Sequence, residues 1–310
     1  MKINKRQKFV ALFIVCLLAV VALIISVFEN LGVTNWHNIY KSVGVKEVTD
    51  VISDYDMSAH FIDVGKADSI YINCKDKSIL IDGGEQDTYN TVLEYLKKLG
   101  IKSLDLVVAT HPHSDHIGGL PEVLNEFKIF KVFMPKVKDS LVPTSKIYEK
   151  FLLAIDKNKV PVKVPTPGET ITLGELEIKV LAPNGFYDNV NNHSIVLKII
   201  YKDVSFLFTG DAEKESESDI LKKNYDIKST VLKVGHHGSK TSTTKEFLRK
   251  VSPKYAVICV GEDKYNLPKK ETITKLKECG AEIYRTDIDG DVVIATNGKA
   301  DSIKIVTSKN

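Results

Sequence analysis

The chain has 310 residues, 43% of them hydrophobic and 27% charged, with a formal net charge of +3. Such values fit a globular protein long enough to bury a sizeable core, and the charge is too small to argue for nucleic-acid binding by itself. Four cysteines (Cys16, Cys74, Cys259 and Cys279) show no C-x-x-C spacing, which leaves neither a disulfide framework nor a cysteine zinc site and reads as packing.

Residues 1–8 form a basic tail with Lys2, Lys5, Arg6 and Lys8. Phe9 to Phe28 then runs twenty residues without a charge. As an α-helix such a run spans roughly 30 Å, the thickness of a bilayer core. The flanking positive charges put the N-terminus in the cytoplasm. A buried core helix would carry a polar stripe, and a cleaved signal peptide needs small residues where Ser26-Val27-Phe28-Glu29 stands. The segment 9–28 is therefore read as an uncleaved, single-pass transmembrane signal anchor, with the rest of the chain extracytoplasmic. Residues 29–58, weakly periodic and holding Trp36, read as a linker.

The globular domain is expected over 59–307. His60 to Val64, Ser69 to Asn73 and Ser78 to Ile81 read as an antiparallel meander that ends in Asp82-Gly83-Gly84. Thr88 to Leu99 has helical spacing closed by Gly100. Leu104 to Thr110 is a short apolar run of the buried-strand kind. It delivers the six residues His111-Pro112-His113-Ser114-Asp115-His116, after which Leu120 to Phe127 is helical. Lys128 to Met134 reads as one strand, Ser145 to Ile155 as a helix and Thr170 to Leu181 as a strand pair. Strands follow at Ile195 to Tyr201 and Val204 to Thr209, then a charged helix from Ala212 to Asn224. Strand, helix, strand and helix follow at Ser229–Val234, Thr244–Val251, Tyr255–Val260 and Lys270–Cys279, and short strands near Glu282, Val292 and Ile303 close the chain. Two β-rich halves, each with helices, predict an α/β fold of two sheets face to face with helices outside.

Three strand ends carry metal-binding residue types. The first is the H-x-H-x-D-H stretch, the second Asp211 in FLFTGDAE, the third His236-His237 in LKVGHHGS. In H-x-H, alternate residues of an extended segment point to one side, so His111 and His113 can bind one ion. Asp115 and His116 can bind a second, Asp211 can bridge the two, and either His237 or His236 can complete the second. Three histidines and an aspartate within six residues are hard to explain by packing, because burying them unpaired is costly. Blander readings stand beside the others. Asp211 could be a helix N-cap, the histidine pair a loop-to-helix turn, His193 a surface-loop residue after turn-forming Asn192, and His60 a structural strand residue. Asp82 is read as the carboxylate that orients a ligand histidine. Mixed histidine and carboxylate ligands suit two divalent ions, zinc first and manganese second.

These residues resemble the metallo-β-lactamase superfamily. More narrowly, FIDVGKADSIYI, ILIDGG, THPHSDHIGGL, SIVLKIIYKDVSFLFTGDAE, LKVGHHGSKTST and IYRTDIDGDVVI resemble the extracellular hydrolase domain of ComEC-type competence proteins, from about residue 58 to 307. The resemblance implies a four-layer αββα sandwich with a dinuclear metal site. His111 and His113 would hold the first ion, Asp115, His116 and His237 the second, with Asp211 bridging. His236 would contact the oxyanion of the substrate, and His193 is the candidate for a further first-ion ligand. Two departures stand out. The family's DVGQGDS is Asp63-Val64-Gly65-Lys66-Ala67-Asp68-Ser69 here, with an alanine where backbone freedom is expected. The family's many-helix channel is also replaced by one candidate span.

The expected function is a membrane-anchored, metal-dependent hydrolase of phosphodiesters, in nucleic acid or in a cell-envelope polymer. Asp115 and His236 are the expected catalytic residues. Ser239 and Lys240 are the expected substrate contacts, with the Gly238-Ser239 backbone at the oxyanion. Rival readings are hydrolysis of a small ester, lactone or β-lactam, and an inactive metal-binding scaffold.

Overall fold

The computed structural model describes residues 53–309 together with Val20. The basic tail, the span 9–28 apart from Val20, and the linker up to residue 52 lie outside the described residues. Among the described residues no helix is long and apolar enough to cross a membrane.

The unit Asp54–Asn310 opens with the meander β1 (Met57–Phe61), β2 (Ile70–Cys74) and β3 (Lys77–Ile81), with Phe61 opposite Ile70 and Ile70 opposite Ile81. The first strand starts two residues before the expected boundary at 59. Met57 and Ser58 are buried, because Met57 pairs with Thr296 and Ser58 with Ala295. The linker expected to reach 58 is corrected accordingly. Helix α1 (Tyr89–Lys98) buries Val92, Leu93 and Leu96 and leads to β4 (Ser103–Leu104) and β5 (Leu106–Val108). Two short helices follow, α2 (Ser114–Ile117) and α3 (Leu120–Glu126).

The strand expected over 128–134 is broken in two. β6 (Lys128–Ile129) pairs with β4, while β7 (Val132–Phe133) joins β5 in the main sheet. The break falls at Phe130, whose ring is turned to solvent. Helix α4 (Lys146–Lys157), capped by the Ser145 hydroxyl, connects to β8 (Val162–Lys163). Strands β3, β5, β7 and β8 run parallel.

The second half repeats the plan. β9 (Thr170–Leu173), β10 (Leu176–Ala182), β11 (Val196–Tyr201) and β12 (Val204–Phe208) are antiparallel. Helix α5 (Lys214–Lys222), β13 (Val231–Lys233), helix α6 (Lys245–Val251), β14 (Tyr255–Ile258), helix α7 (Lys270–Glu278) and β15 (Glu282–Arg285) follow, and β12 to β15 are parallel. After a short turn of helix, α8 (Thr286–Asp289), the chain returns to the first sheet as β16 (Val292–Thr296) and β17 (Lys304–Thr307), with β16 beside β1.

Among the described residues two large sheets result, of eight and seven strands, beside the two-stranded pair of β4 and β6. Strand alternation divides the core into three. Ile70, Ile72, Leu106, Val108, Phe206, Phe208, Val231 and Val257 face inward between the sheets. Tyr71 and Val107 face outward, under α1, α3 and α4. Leu207, Leu232 and Ala256 face the other way, under α5 to α7. Strands buried on both faces read as continuous apolar runs, and the four layers are helix, sheet, sheet, helix. Each large apolar side chain so buried contributes about 1.5–3 kcal/mol. Cys74 and Cys259 are free thiols in the inter-sheet core.

A close backbone approach holds the rim of the first sheet together. A Cβ on Gly119 would lie 2.1 Å from the Gly83 carbonyl oxygen, and Gly83 N–H donates to the His116 carbonyl at 2.7 Å. The two glycine pairs in IDGG and HIGG therefore press the exit of β3 against the turn after β5. In the turn before β2, the left-handed residue is Gly65 (φ 74), and Ala67 is buried without needing that conformation.

Candidate metal centre

The parallel strands deliver their C-terminal ends to one rim. Asp82 follows β3, His111 to His116 follow β5, Asp211 follows β12 and His237 follows β13. The structure brings Asp115, His116, Asp211 and His237 together, with one ligand atom of each within 4.8 Å of the others. His116 Nε2 is 3.3 Å from Asp211 Oδ2, and His237 Nε2 is 3.5 Å from Asp115 Oδ2 and 3.6 Å from Asp211 Oδ2. His111 and His113 stand beside this group, His111 Nε2 3.0 Å from His113 Nδ1, with the His111 and His116 rings 4.1 Å apart.

The histidines are oriented by their outer nitrogens. Asp82, fully buried, accepts from Thr110 N–H at 2.8 Å, from the Thr110 hydroxyl at 2.7 Å and from His116 Nδ1 at 2.7 Å. These bonds fix the His116 ring against Asp82 and Thr110. The left-handed backbone of Asp82 (φ 60) suits aspartate better than most residues. His237 Nδ1 donates to the Cys259 carbonyl at 2.9 Å, and a carbonyl only accepts, so the proton sits on Nδ1. In both rings Nε2 is turned into the group. His116 Nε2, His237 Nε2 and Asp211 Oδ1 are buried without a hydrogen bond. Such atoms cost about 1–3 kcal/mol each when left unpaired. Imidazole and carboxylate donors presented in this way fit a divalent cation.

His236 and His237 both hold left-handed backbone, φ 48 and 51, in the turn after β13. Each such residue costs on the order of 1–3 kcal/mol, a strain that clusters at functional sites. The strain turns the two rings apart. His237 is buried, while the His236 side chain is 26% exposed with Nε2 3.8 Å from Asp211 Oδ2 and Nδ1 3.1 Å from Glu213 Oε1. Thr241 donates its hydroxyl to the same Glu213 oxygen at 2.8 Å, and Asn189 and Asn191 also donate to this carboxylate.

Three expectations are corrected. His193 is not on a surface loop. It is fully buried, with Nε2 3.1 Å from the Tyr187 backbone N and O, and it lies outside the group of four. The Ser239 N–H does not face the site, because it donates to the His236 carbonyl at 2.7 Å. The Ser239 hydroxyl is likewise engaged with Thr241 at 3.0 Å, while Lys240 of the same loop is exposed. The helix N-cap reading of Asp211 also fails, since α5 starts at Lys214 with Glu213 at the cap position.

Sequence reasoning missed Asp68, Lys233, Glu213 and Ser194. Ser194 Oγ lies 3.3 Å from His111 Nδ1 and accepts the Asp211 N–H at 3.1 Å. The signals in the sequence were Lys233, a charged residue in an apolar strand, and Asp68, the aspartate of the stretch set beside the family's DVGQGDS.

The charges set a pH dependence. Burial pushes both rings down, and the carboxylates outweigh it. Asp211, Asp82 and Asp115 hold His116 well above the ordinary imidazole range, and Asp211, Asp68 and Asp115 raise His237 to about 10. A raised histidine contributes stability that is complete below its unfolded value of about 6.5 and is lost as pH rises through the folded value. The melting temperature of the metal-free protein is therefore expected to fall between about pH 6.5 and pH 10. Metal binding must displace those protons, so stabilisation by added zinc should grow over the same window. Thermal scans at mildly acidic, mildly basic and strongly basic pH, with chelator and with zinc, measure both slopes. A metal-free protein that gains stability toward the basic end would contradict the arrangement.

A family model described as the metallo-beta-lactamase superfamily matches residues 62–262. ComE operon protein 3 of Bacillus subtilis (strain 168) is 32% identical over 251 residues, 74% of this chain and 32% of its own length. Competence protein ComA of Neisseria gonorrhoeae is 24% identical over 273 residues, 87% of this chain and 36% of its own length. The chain thus spans about a third of the length of these curated relatives. Among solved structures, the metallo-beta-lactamase fold protein YhfI from Bacillus subtilis superposes with a TM-score of 0.53 at 13% identity. That match covers 77% of this chain and 99% of YhfI, and shows the shared fold.

Proposed function

The chain belongs to the metallo-β-lactamase superfamily and is related to ComEC-type competence proteins, and we propose that it is a two-ion hydrolase of phosphodiesters. The observation that carries this reading is the convergence of His116 Nε2 and His237 Nε2, both buried without a hydrogen bond, on Asp211 Oδ2 at 3.3 and 3.6 Å. His111 and His113 would hold one ion, and Asp115, His116 and His237 the other, with Asp211 between them. Zinc or manganese suits these donors. Two such ions supply polarisation of the phosphoryl group and activation of water.

The protein's own groups do the rest. Asp82 and the Cys259 carbonyl keep His116 and His237 in the tautomer that offers Nε2. Asp115, with 29% of its side chain exposed, stands at the mouth beside His237. His236, braced by Glu213, faces outward over Asp211 and is the group best placed to hold a non-bridging oxygen of the substrate. Lys240 adds a charge at the rim. Nucleic acid and a cell-envelope polymer are the substrate classes with the required bond. The uncharged run 9–28 supports a single-pass membrane anchor with this domain outside.

The test uses the full chain in detergent, loaded with manganese or zinc. Single-stranded DNA, a glycerol-phosphate polymer, bis-p-nitrophenyl phosphate and a chromogenic β-lactam are offered to wild type and to His113→Ala. Phosphodiester cleavage is expected, with a loss of ~10²-fold or more in the variant. Turnover of the β-lactam alone would move the protein to the small-substrate reading. No turnover of any substrate by metal-loaded protein would leave only the scaffold.

A further inference from the structure

Lys233 ends β13 at the rim. Strand alternation places it on the same face as Val231, toward the core between the sheets, while Leu232 faces the helices. It is 1% exposed. A lysine charge carried into such an interior is costly unless it is paired. Its ammonium forms an ion pair with Asp68 Oδ2, donates to the Gly210 carbonyl at 3.1 Å and lies 3.8 Å from Asp211 Oδ1.

Asp68 is also fully buried and reaches behind the ligands. Its Oδ1 is 3.4 Å from His237 Nδ1, its Oδ2 is 3.8 Å from His116 Nδ1, and its N–H donates to the Asp115 carbonyl at 3.1 Å. Asp68, Asp82 and His116 form a second close group of potential ligands. That group needs no metal. Asp82 is fully engaged by Thr110 and His116, and the Lys233 ammonium already sits on Asp68.

The two oxygens of Asp211 consequently meet different surroundings. Oδ2 faces Nε2 of His116, His237 and His236 at 3.3, 3.6 and 3.8 Å, and Oδ1 faces the ammonium. We propose that Lys233 is a positioning residue for the metal centre: its ammonium, anchored by Asp68 and the Gly210 carbonyl, fixes the rotation of Asp211 so that Oδ2 alone is presented to the ions. The inference rests on the two-ion reading of the site and adds what holds the bridging carboxylate. Because the cation is permanent and internal, it also offsets part of the negative charge that Asp68, Asp82, Asp115 and Asp211 bring to the centre.

The test is cobalt binding by the full chain, read from the visible absorption bands and by competition with a chelator. Lys233→Met is expected to bind at least one ion ~10–100-fold more weakly, with altered bands. It also strands the Asp68 charge, so the decisive variant is Asp68→Asn with Lys233→Met, which removes both charges of the pair. That double variant is expected to recover the near-UV circular dichroism of the wild type but not its cobalt affinity or bands. Wild-type affinity and bands in the double variant would overturn the inference and make the pair a packing device. If the double variant does not fold, Asp68→Asn with Lys233→Gln keeps a donor for the Gly210 carbonyl while still removing both charges. Weakened binding in that folded variant supports the proposal, and unchanged binding refutes it. Wild type that takes up no cobalt removes the two-ion reading itself, and the inference falls with it.

Discussion

Asp211→Asn is expected to lower phosphodiester turnover by ~10³-fold or more, since removing the charge between two ions forfeits several kcal/mol of their stabilisation. Asp211 is the residue on which the site converges. One of its oxygens faces three imidazole nitrogens within 3.8 Å, and its backbone is pinned by the Ser194 hydroxyl. Asparagine keeps the shape and the backbone anchor, so the fold should survive. The readout is initial velocity on bis-p-nitrophenyl phosphate at saturating metal, with circular dichroism as the control. Turnover close to that of wild type would place the reaction elsewhere.

Asp82→Asn acts one layer further out, through a proton. The carboxylate accepts from His116 Nδ1, so Nε2 is left with its lone pair for a cation. An asparagine amide in the same place presents N–H to Nδ1. The ring must then move its proton to Nε2, and the ligand atom is lost. Asparagine also tolerates the left-handed backbone at this position (φ 60), which keeps the test free of backbone strain. Metal affinity is expected to drop ~10–100-fold, and the metal-free protein to keep its fold but lose the part of its stability that the His116–Asp82 pair contributes. Chelator competition measures the first and urea denaturation the second. A variant with wild-type affinity would mean that Asp82 does not set the tautomer of His116.

Much of this site was legible in the chain because its candidate ligands stand at the ends of apolar strands. His111, His113, Asp115, His116 and Asp211 each follow a run whose both faces are buried, and such runs are easy to read. Asp82 was legible for the same reason, at the end of β3. Asp68 and Lys233 were not. One reads as part of a polar turn and the other as an interruption of a strand, and only the folded arrangement of residues 68, 211 and 233 gives them a partner. Exposure also misled. His193 follows two asparagines and looks like a loop residue, yet Asn192 is turned inward to accept the backbone N–H groups of Glu213 and Ser216, which carries His193 into the interior.

The two sheets with helices outside followed from two β-rich halves that each carry helices, and the four-layer form from the family resemblance. The order of the strands did not. That β16 and β17 return to pair beside β1 depends on contacts between distant parts of the chain, such as Met57 with Thr296, and local pattern carries no trace of them. The same holds for the break at Phe130, where β6 and β7 part to pair with different strands.

The chemistry proposed for this rim depends on its holding two divalent ions. Elemental analysis of the full chain, purified in detergent and equilibrated with zinc or manganese, counts them. Two ions per chain are expected in wild type, and at most one in Asp211→Asn. A wild-type chain that retains no ion, or a variant that retains both, would contradict a two-ion centre bridged by Asp211.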